Sequence, residues 1–229
     1  IRSYFATREI SIARKEPDGR RKKTVVTLTH IPMMNKRFDE AYWTAKYTAG
    51  EMGWDMGSVS PPIKEYADQL EDKTISILIP GAGNSYEAEY LHQEGFANLE
   101  VLDISPAPLE NLSKRAPGIP ESSLIRSDFF QWEKKYDLIL EQTFFCALDP
   151  SLRKSYAKKM HELLNPGGKL VGVLFDFPLT EAAPPFGGSR DAYVETFESW
   201  FEIKVLEPCH NSIKPRSGRE LFLIFEKKN

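Results

Sequence analysis

Two cysteines, Cys146 and Cys209, among 229 residues leave no disulfide framework and, by themselves, no structural zinc site. The four histidines, His30, His92, His161 and His210, show no metal-ligand spacing, so no metal is expected. Apolar runs are short of the ~18 residues that a membrane span requires. No charged-then-apolar segment opens the chain as a secretory leader would. A reducing, cytoplasmic location and no membrane partner are the resulting expectations. The net charge of −3 argues against a nucleic-acid binder that works through bulk electrostatics.

What remains is an ordinary globular composition, 41% hydrophobic and 28% charged, of a length that suits one domain with an extension. No apolar surface stripe stands out, and a monomer is expected. Residues 1–33 read as a basic extension, with eight Lys/Arg against three Asp/Glu. Within them Arg14–Lys23 lacks an apolar period and reads as a solvated turn. Its flanks, Ile10–Ala13 and Thr24–Thr29, suit a small hairpin. Three roles stay open for the extension: a basic arm for an acidic partner, an organelle-targeting peptide, or sequence upstream of a natural start at Met33 or Met34. Residues 34–229 form the expected main domain.

There the pattern alternates. Helices are predicted over Asn35–Ala49, Pro61–Leu70, Ser85–Glu94, Pro106–Arg115, Leu152–Leu164 and Tyr193–Phe201. Short apolar runs at Ile75–Ile79, Leu99–Leu102, Leu124–Ile125, Leu138–Leu140, Leu170–Phe175, Ile203–Leu206 and Leu221–Phe225 read as strands. Strands alternating with helices imply an α/β fold, a mostly parallel sheet with helices on both faces.

In such sheets ligands bind beyond the carboxyl ends of the strands, where strand order reverses. The first strand of the domain runs into Pro80-Gly81-Ala82-Gly83-Asn84-Ser85, whose glycines permit close backbone approach. Asp103 follows twenty residues after Gly83, at the end of the second strand, where a carboxylate can accept from a ribose diol. Ser105 is the expected N-cap of the next helix. A dinucleotide fingerprint wants a third glycine where Tyr86 stands, and a P-loop wants a Gly-Lys-Ser/Thr run that is absent. S-adenosylmethionine carries an adenosyl group but no phosphate, so two glycines suffice. Asp128 and the following Phe129 suit an adenine; a turn cap is the alternative role for Asp128.

The run from Asp137 to Pro150, with Glu141-Gln142-Thr143-Phe144-Phe145-Cys146 at its centre, resembles the fourth-strand signature of the thiopurine S-methyltransferase superfamily. The closer resemblance is to its thiol/halide methyltransferase branch. Trp43…Tyr47…Trp54-Asp55-Met56-Gly57, the Pro-Gly-Ala-Gly loop, Ala183-Pro184-Pro185-Phe186 and Arg216-Ser217-Gly218-Arg219-Glu220 also match. The likeness spans roughly residues 34–227, and Ala82 and Tyr47 depart from the family pattern. It implies a Rossmann-like class I methyltransferase with a seven-stranded sheet whose last strand is antiparallel. The implied cofactor is S-adenosylmethionine, with Gly81 and Gly83 at its methionine end, Asp103 at its ribose, and Asp128 and Phe129 at its adenine. Trp43 and Trp54 would close over it and Glu141 would lie near its amine. As alternatives, the tryptophans anchor a cap and Glu141 is a surface acid.

A small soft nucleophile needs little base catalysis, because a thiol is a few per cent ionised at neutral pH and sulfur is intrinsically nucleophilic. The expected acceptor pocket holds Phe144, Phe145, Phe186 and Arg153, the last either steering an anion or lying on a solvated helix face. Arg216 and Arg219 face the same choice. Cys146 reads as a small buried hydrophobe. A non-catalytic S-adenosylmethionine-binding regulator is the alternative function, and a nicotinamide oxidoreductase is disfavoured by Tyr86.

Overall fold

The computed structural model describes residues 7–15, 21–29, 38–180 and 182–229. The chain divides into two compact units, residues 1–37 and 38–229. The smaller holds β1 (Thr7–Lys15) and β2 (Arg21–Thr29), antiparallel with Ile10 opposite Val26. The hairpin expected there is present and longer than its apolar flanks. Residues 16–20 of the basic turn lie outside the described residues, as do Met33, Met34 and the first residues of the helix expected from Asn35.

The larger unit carries β3 (Ile77–Pro80), β4 (Leu99–Asp103), β5 (Leu124–Arg126), β6 (Tyr136–Gln142), β7 (Leu164–Phe175), β8 (Phe201–Pro208) and β9 (Glu220–Lys227). They form one seven-stranded sheet in the order β5-β4-β3-β6-β7-β9-β8. Only β9 runs against its neighbours. Strand order reverses between β3 and β6, which places the ligand crevice above their carboxyl ends.

Among the described residues the α-helices are α1 (Glu40–Ala49), which packs on α4, and α2 (Pro61–Asp68), α3 (Tyr86–Gln93), α4 (Pro106–Arg115), α5 (Arg153–Leu163) and α6 (Arg190–Phe197), which cover the sheet. On one face Ile63, Ala67, Ala88, Leu91, Leu109 and Leu112, from α2, α3 and α4, pack on Ile77, Ile79, Val101, Leu138, Leu140 and Val171. On the other, Tyr156 and Met160 of α5 are fully buried, and Phe197 of α6 meets Phe225 of β9 in a tilted contact at 5.1 Å. Apolar residues therefore run almost without interruption along the central strands, as burial on both faces demands.

Local chemistry sets several boundaries. Asp39 caps α1 by accepting from the Tyr42 N–H at 3.0 Å, and Gly50 ends it at φ +69°. Ser105 and Pro106 open α4 as the sequence predicts. Two expectations shift. The helix read as Tyr193–Phe201 runs over Arg190–Phe197, because Ser189 caps it early and Phe201 is drawn into the β8 ladder opposite Lys227. Asn165–Gly168, read as a helix stop, lies inside β7, whose register with β6 shifts between Tyr136 and Leu138.

Candidate active site

The loop after β3 is held by a Gly81 N–H that donates to the Leu102 carbonyl at 2.7 Å. Gly81 and Gly83 adopt φ of +56° and +54°, a region that side chains disfavour. The space beside each is also spoken for. A Cβ on Gly81 would stand 2.0 Å from the Phe144 ring, and one on Gly83 would stand 3.3 Å from the Tyr47 hydroxyl and 3.7 Å from Trp54 Nε1. Gly81 thus admits an aromatic side chain, and Gly83 passes beneath the aromatic cap.

Asp103, at the carboxyl end of β4, accepts from Gly83 N at 3.3 Å and from Ser105 N at 2.8 Å. Burial pushes its carboxyl up to about 6, against those stabilising backbone donors. The Ser105 hydroxyl shares a 2.9 Å hydrogen bond with Thr44 of α1, which ties the cap to the start of α4. Asp128 accepts from Phe130 N at 2.8 Å and so caps the short turn Phe129–Gln131. Phe129 is buried edge-on to Phe144 at 5.1 Å.

At the end of β6 the chain turns sharply, and Thr143 holds φ +59°, an uncommon conformation for a β-branched residue. Glu141 secures it. One carboxylate oxygen accepts from Phe144 N at 2.8 Å and Phe145 N at 2.9 Å, and the other accepts from the buried Tyr156 hydroxyl. Burial raises the Glu141 carboxyl to about 7, outweighing these bonds. Phe145 is turned into the core against Tyr156, Tyr193 and Phe197. Cys146 is buried, with its thiol pushed up by that burial.

Three chain segments meet over the crevice. Phe38, Tyr42, Trp43, Trp54 and Tyr47 form a chain of edge-to-face contacts at 5.0–5.7 Å. Phe38 also meets Phe186 of the loop after β7 at 5.7 Å. Arg153 lies over the Phe145 ring at 4.7 Å and donates to the Gly187 carbonyl at 2.6 Å, bracing that loop. Arg216, between β8 and β9, is buried; it donates to the Trp54 carbonyl at 2.8 Å and pairs with Glu220 at 3.3 Å. Arg219 lies over Phe177 at 4.6 Å. A narrow cleft of about 10 Å³, room for about one water, is lined by Glu141, Thr143, Cys146, Val173, Phe175 and Glu220.

Several partners lay beyond sequence reasoning. Asp55 accepts from the Asn84 amide and from the Tyr86 hydroxyl at 3.4 Å, pinning the Trp54 turn to the glycine loop. Tyr86, seen in the sequence only as a missing glycine, also carries the Arg115 guanidinium 4.4 Å over its ring. The Trp54-Asp55-Met56-Gly57 run was the available signal for Asp55, though it named no partner. His210 is exposed, 3.4 Å from Glu65. Among the described residues no His/Cys/Asp/Glu group could hold a metal, and no helix is long and apolar enough to cross a membrane.

Known proteins resemble this chain in sequence and in fold. A family model described as Thiopurine S-methyltransferase (TPMT) matches residues 38–227. Probable thiol methyltransferase 2 of Arabidopsis thaliana is 30% identical over 184 residues, covering 78% of this chain and 81% of that protein. Thiocyanate methyltransferase 1 of Brassica oleracea is 27% identical over 198 residues, covering 83% and 87%. Among solved structures, Burkholderia thailandensis 1,6-didemethyltoxoflavin-N1-methyltransferase, with S-adenosylhomocysteine bound, is similar at a TM-score of 0.67. It is 16% identical, and the match covers 83% of this chain and 87% of that one, which shows a shared fold. The seven-stranded sheet is that of the class I methyltransferases, and the chain belongs to the thiopurine S-methyltransferase family.

Proposed function

We propose that this protein transfers a methyl group from S-adenosylmethionine to a small soft nucleophile: a thiol, a thiopurine-like thiol, thiocyanate or a halide. The observation that carries the reading is a glycine bend and a buried carboxylate under an aromatic cap, at the point where strand order reverses. The residues present suit the cofactor. The site offers a ribose a carboxylate and offers an adenine ring the neighbourhood of Phe129, and it sets no phosphate-binding lysine in the glycine loop. When bound, the cofactor supplies a methyl group on a positively charged sulfur.

Asp103 is assigned to the ribose diol, with Ser105 beside it, and Asp128 and Phe129 to the adenine. Gly81 and Gly83 bring backbone to the methionine end, and Trp43 and Trp54 exclude water from above. Glu141 acts from behind the site, because its bonds to Phe144 N and Phe145 N fix the loop that carries Phe144. Phe144 and Phe186 wall the acceptor side, while Phe145 and Arg153 support them from the core.

Transfer from a sulfonium to an anionic nucleophile neutralises charge along the path. A water-poor aromatic enclosure therefore disfavours the separated charges of the reactants more than the charge-dispersed transition state. Holding nucleophile, methyl and sulfur in line contributes up to roughly 7–11 kcal/mol. No strong base is required of the protein, since a thiol with pKa about 8.5 delivers thiolate from solution.

The test is turnover by the full chain with a panel of thiols, thiocyanate and iodide, read by mass spectrometry. Methylated product and saturable binding of S-adenosylhomocysteine are expected. Binding with no product from any acceptor would replace catalysis with a regulatory role, and no binding near 1 mM would remove the cofactor assignment.

A further inference from the structure

Gln142 is the last residue of β6, and its ladder partner across to β7 is Val173, which lines the cleft. The side chain is 91% buried, being 9% exposed, and its Oε1 has no hydrogen-bond partner. Its Nε2 reaches only the Met56 sulfur, at 4.0 Å, and a thioether is a weak acceptor. The large majority of buried side-chain polar atoms in folded proteins are hydrogen-bonded, and one that is not costs stability. Here the unsatisfied atom stands at the carboxyl end of a central strand, beneath the Trp54–Gly57 turn, where a ligand is expected. The cation bordering the cleft, Arg216, is already paired with Glu220 and the Trp54 carbonyl. The open valence on Gln142 is an acceptor.

We infer that Gln142 determines acceptor specificity: its carbonyl oxygen accepts a hydrogen bond from an O–H or N–H that the thiol carries beside its sulfur, favouring such thiols over bare thiocyanate or halide. The inference rests on the methyl-transfer reading and deepens it. A near-isosteric apolar replacement, Gln142→Met, removes the amide while filling its space, and its melting temperature should match or exceed that of the unaltered protein. Three acceptors separate the possibilities: 2-mercaptoethanol, ethanethiol, which lacks the donor, and thiocyanate.

The unaltered protein should prefer 2-mercaptoethanol to ethanethiol by about five- to tenfold in kcat/KM. Gln142→Met should abolish that preference through KM, with kcat kept, and change the other two acceptors less than twofold. Affinity for S-adenosylhomocysteine, measured by calorimetry, should not move. An equal loss on all three acceptors, or a preference that survives the substitution, would overturn the assignment. Weakened S-adenosylhomocysteine binding would place the amide on the cofactor and overturn it too. No product from the unaltered protein with any acceptor would overturn the methyl-transfer reading and this assignment together; product with an unchanged preference would overturn this assignment alone.

Discussion

Arg216 donates to the carbonyl oxygen of Trp54 at 2.8 Å, across 162 positions of sequence, while its other terminal nitrogen pairs with Glu220 at 3.3 Å. Both side chains are nearly buried, so the pair supports the fold only as long as it is intact. Arg216→Met should cost about 3–5 kcal/mol by leaving Glu220 buried and uncompensated. The double variant Arg216→Met/Glu220→Met should recover most of that loss. Urea denaturation of the four members of this cycle measures it, and additive losses would show that the two residues act separately.

Asp103 is the strongest candidate for holding the cofactor. Asp103→Ala should weaken S-adenosylhomocysteine binding by about 1.5–3 kcal/mol, the range for hydrogen bonds to a charged group. Calorimetry reads this directly, and circular dichroism shows whether the fold survives. Unchanged affinity would move the ribose elsewhere.

Glu141 gives a pH dependence of known sign. Its folded-state pKa of about 7 lies above the ordinary 4.5, so the folded protein holds the proton more tightly than the unfolded chain. The stability this contributes is complete below about pH 4.5 and is lost as pH rises through 7, to the extent of about 3 kcal/mol at most. Glu141→Gln keeps an oxygen for Phe144 N and Phe145 N, and its amide can donate to the Tyr156 oxygen, without the buried charge. Its stability relative to the unaltered protein should therefore climb between pH 5 and 8. A difference that stays constant over that range in denaturation curves would contradict the buried-charge account.

The two glycines should respond unequally. Both suffer from a positive φ, worth about 1–2 kcal/mol for an L-residue. Gly81→Ala must in addition displace the Phe144 ring from 2.0 Å, whereas Gly83→Ala meets only the Tyr47 hydroxyl at 3.3 Å. Thermal melts should rank Gly81→Ala well below Gly83→Ala, and equal midpoints would mean that Phe144 moves aside freely.

Much of the fold could be read from the chain because its signals are local. The buried strands are continuous apolar runs, and Ser105-Pro106 announces α4 at its first turn. The end of α6 was not legible: Trp200 and Phe201 continue the apolar pattern with no glycine or proline to break it, and pairing with β9 decides the outcome. In the site, the glycine bend and Asp103 follow from strand–turn–helix logic. Glu141 was expected near the cofactor amine, with a surface acid as the alternative; it is buried, and its partners Phe144 N, Phe145 N and Tyr156 emerge only from the folded turn. Asp55 with Asn84, Met56 with Gln142 and Trp54 with Arg216 are encounters across 29, 86 and 162 positions. Such pairings depend on tertiary packing, which no local pattern encodes.

The clasp between the Trp54 turn and Arg216 has a temporal side. Arg216 is synthesised 162 positions after Trp54, whereas Ser105, Asn84 and Tyr86 come far sooner, so the ribosome supplies the fastenings of the aromatic cap one after another.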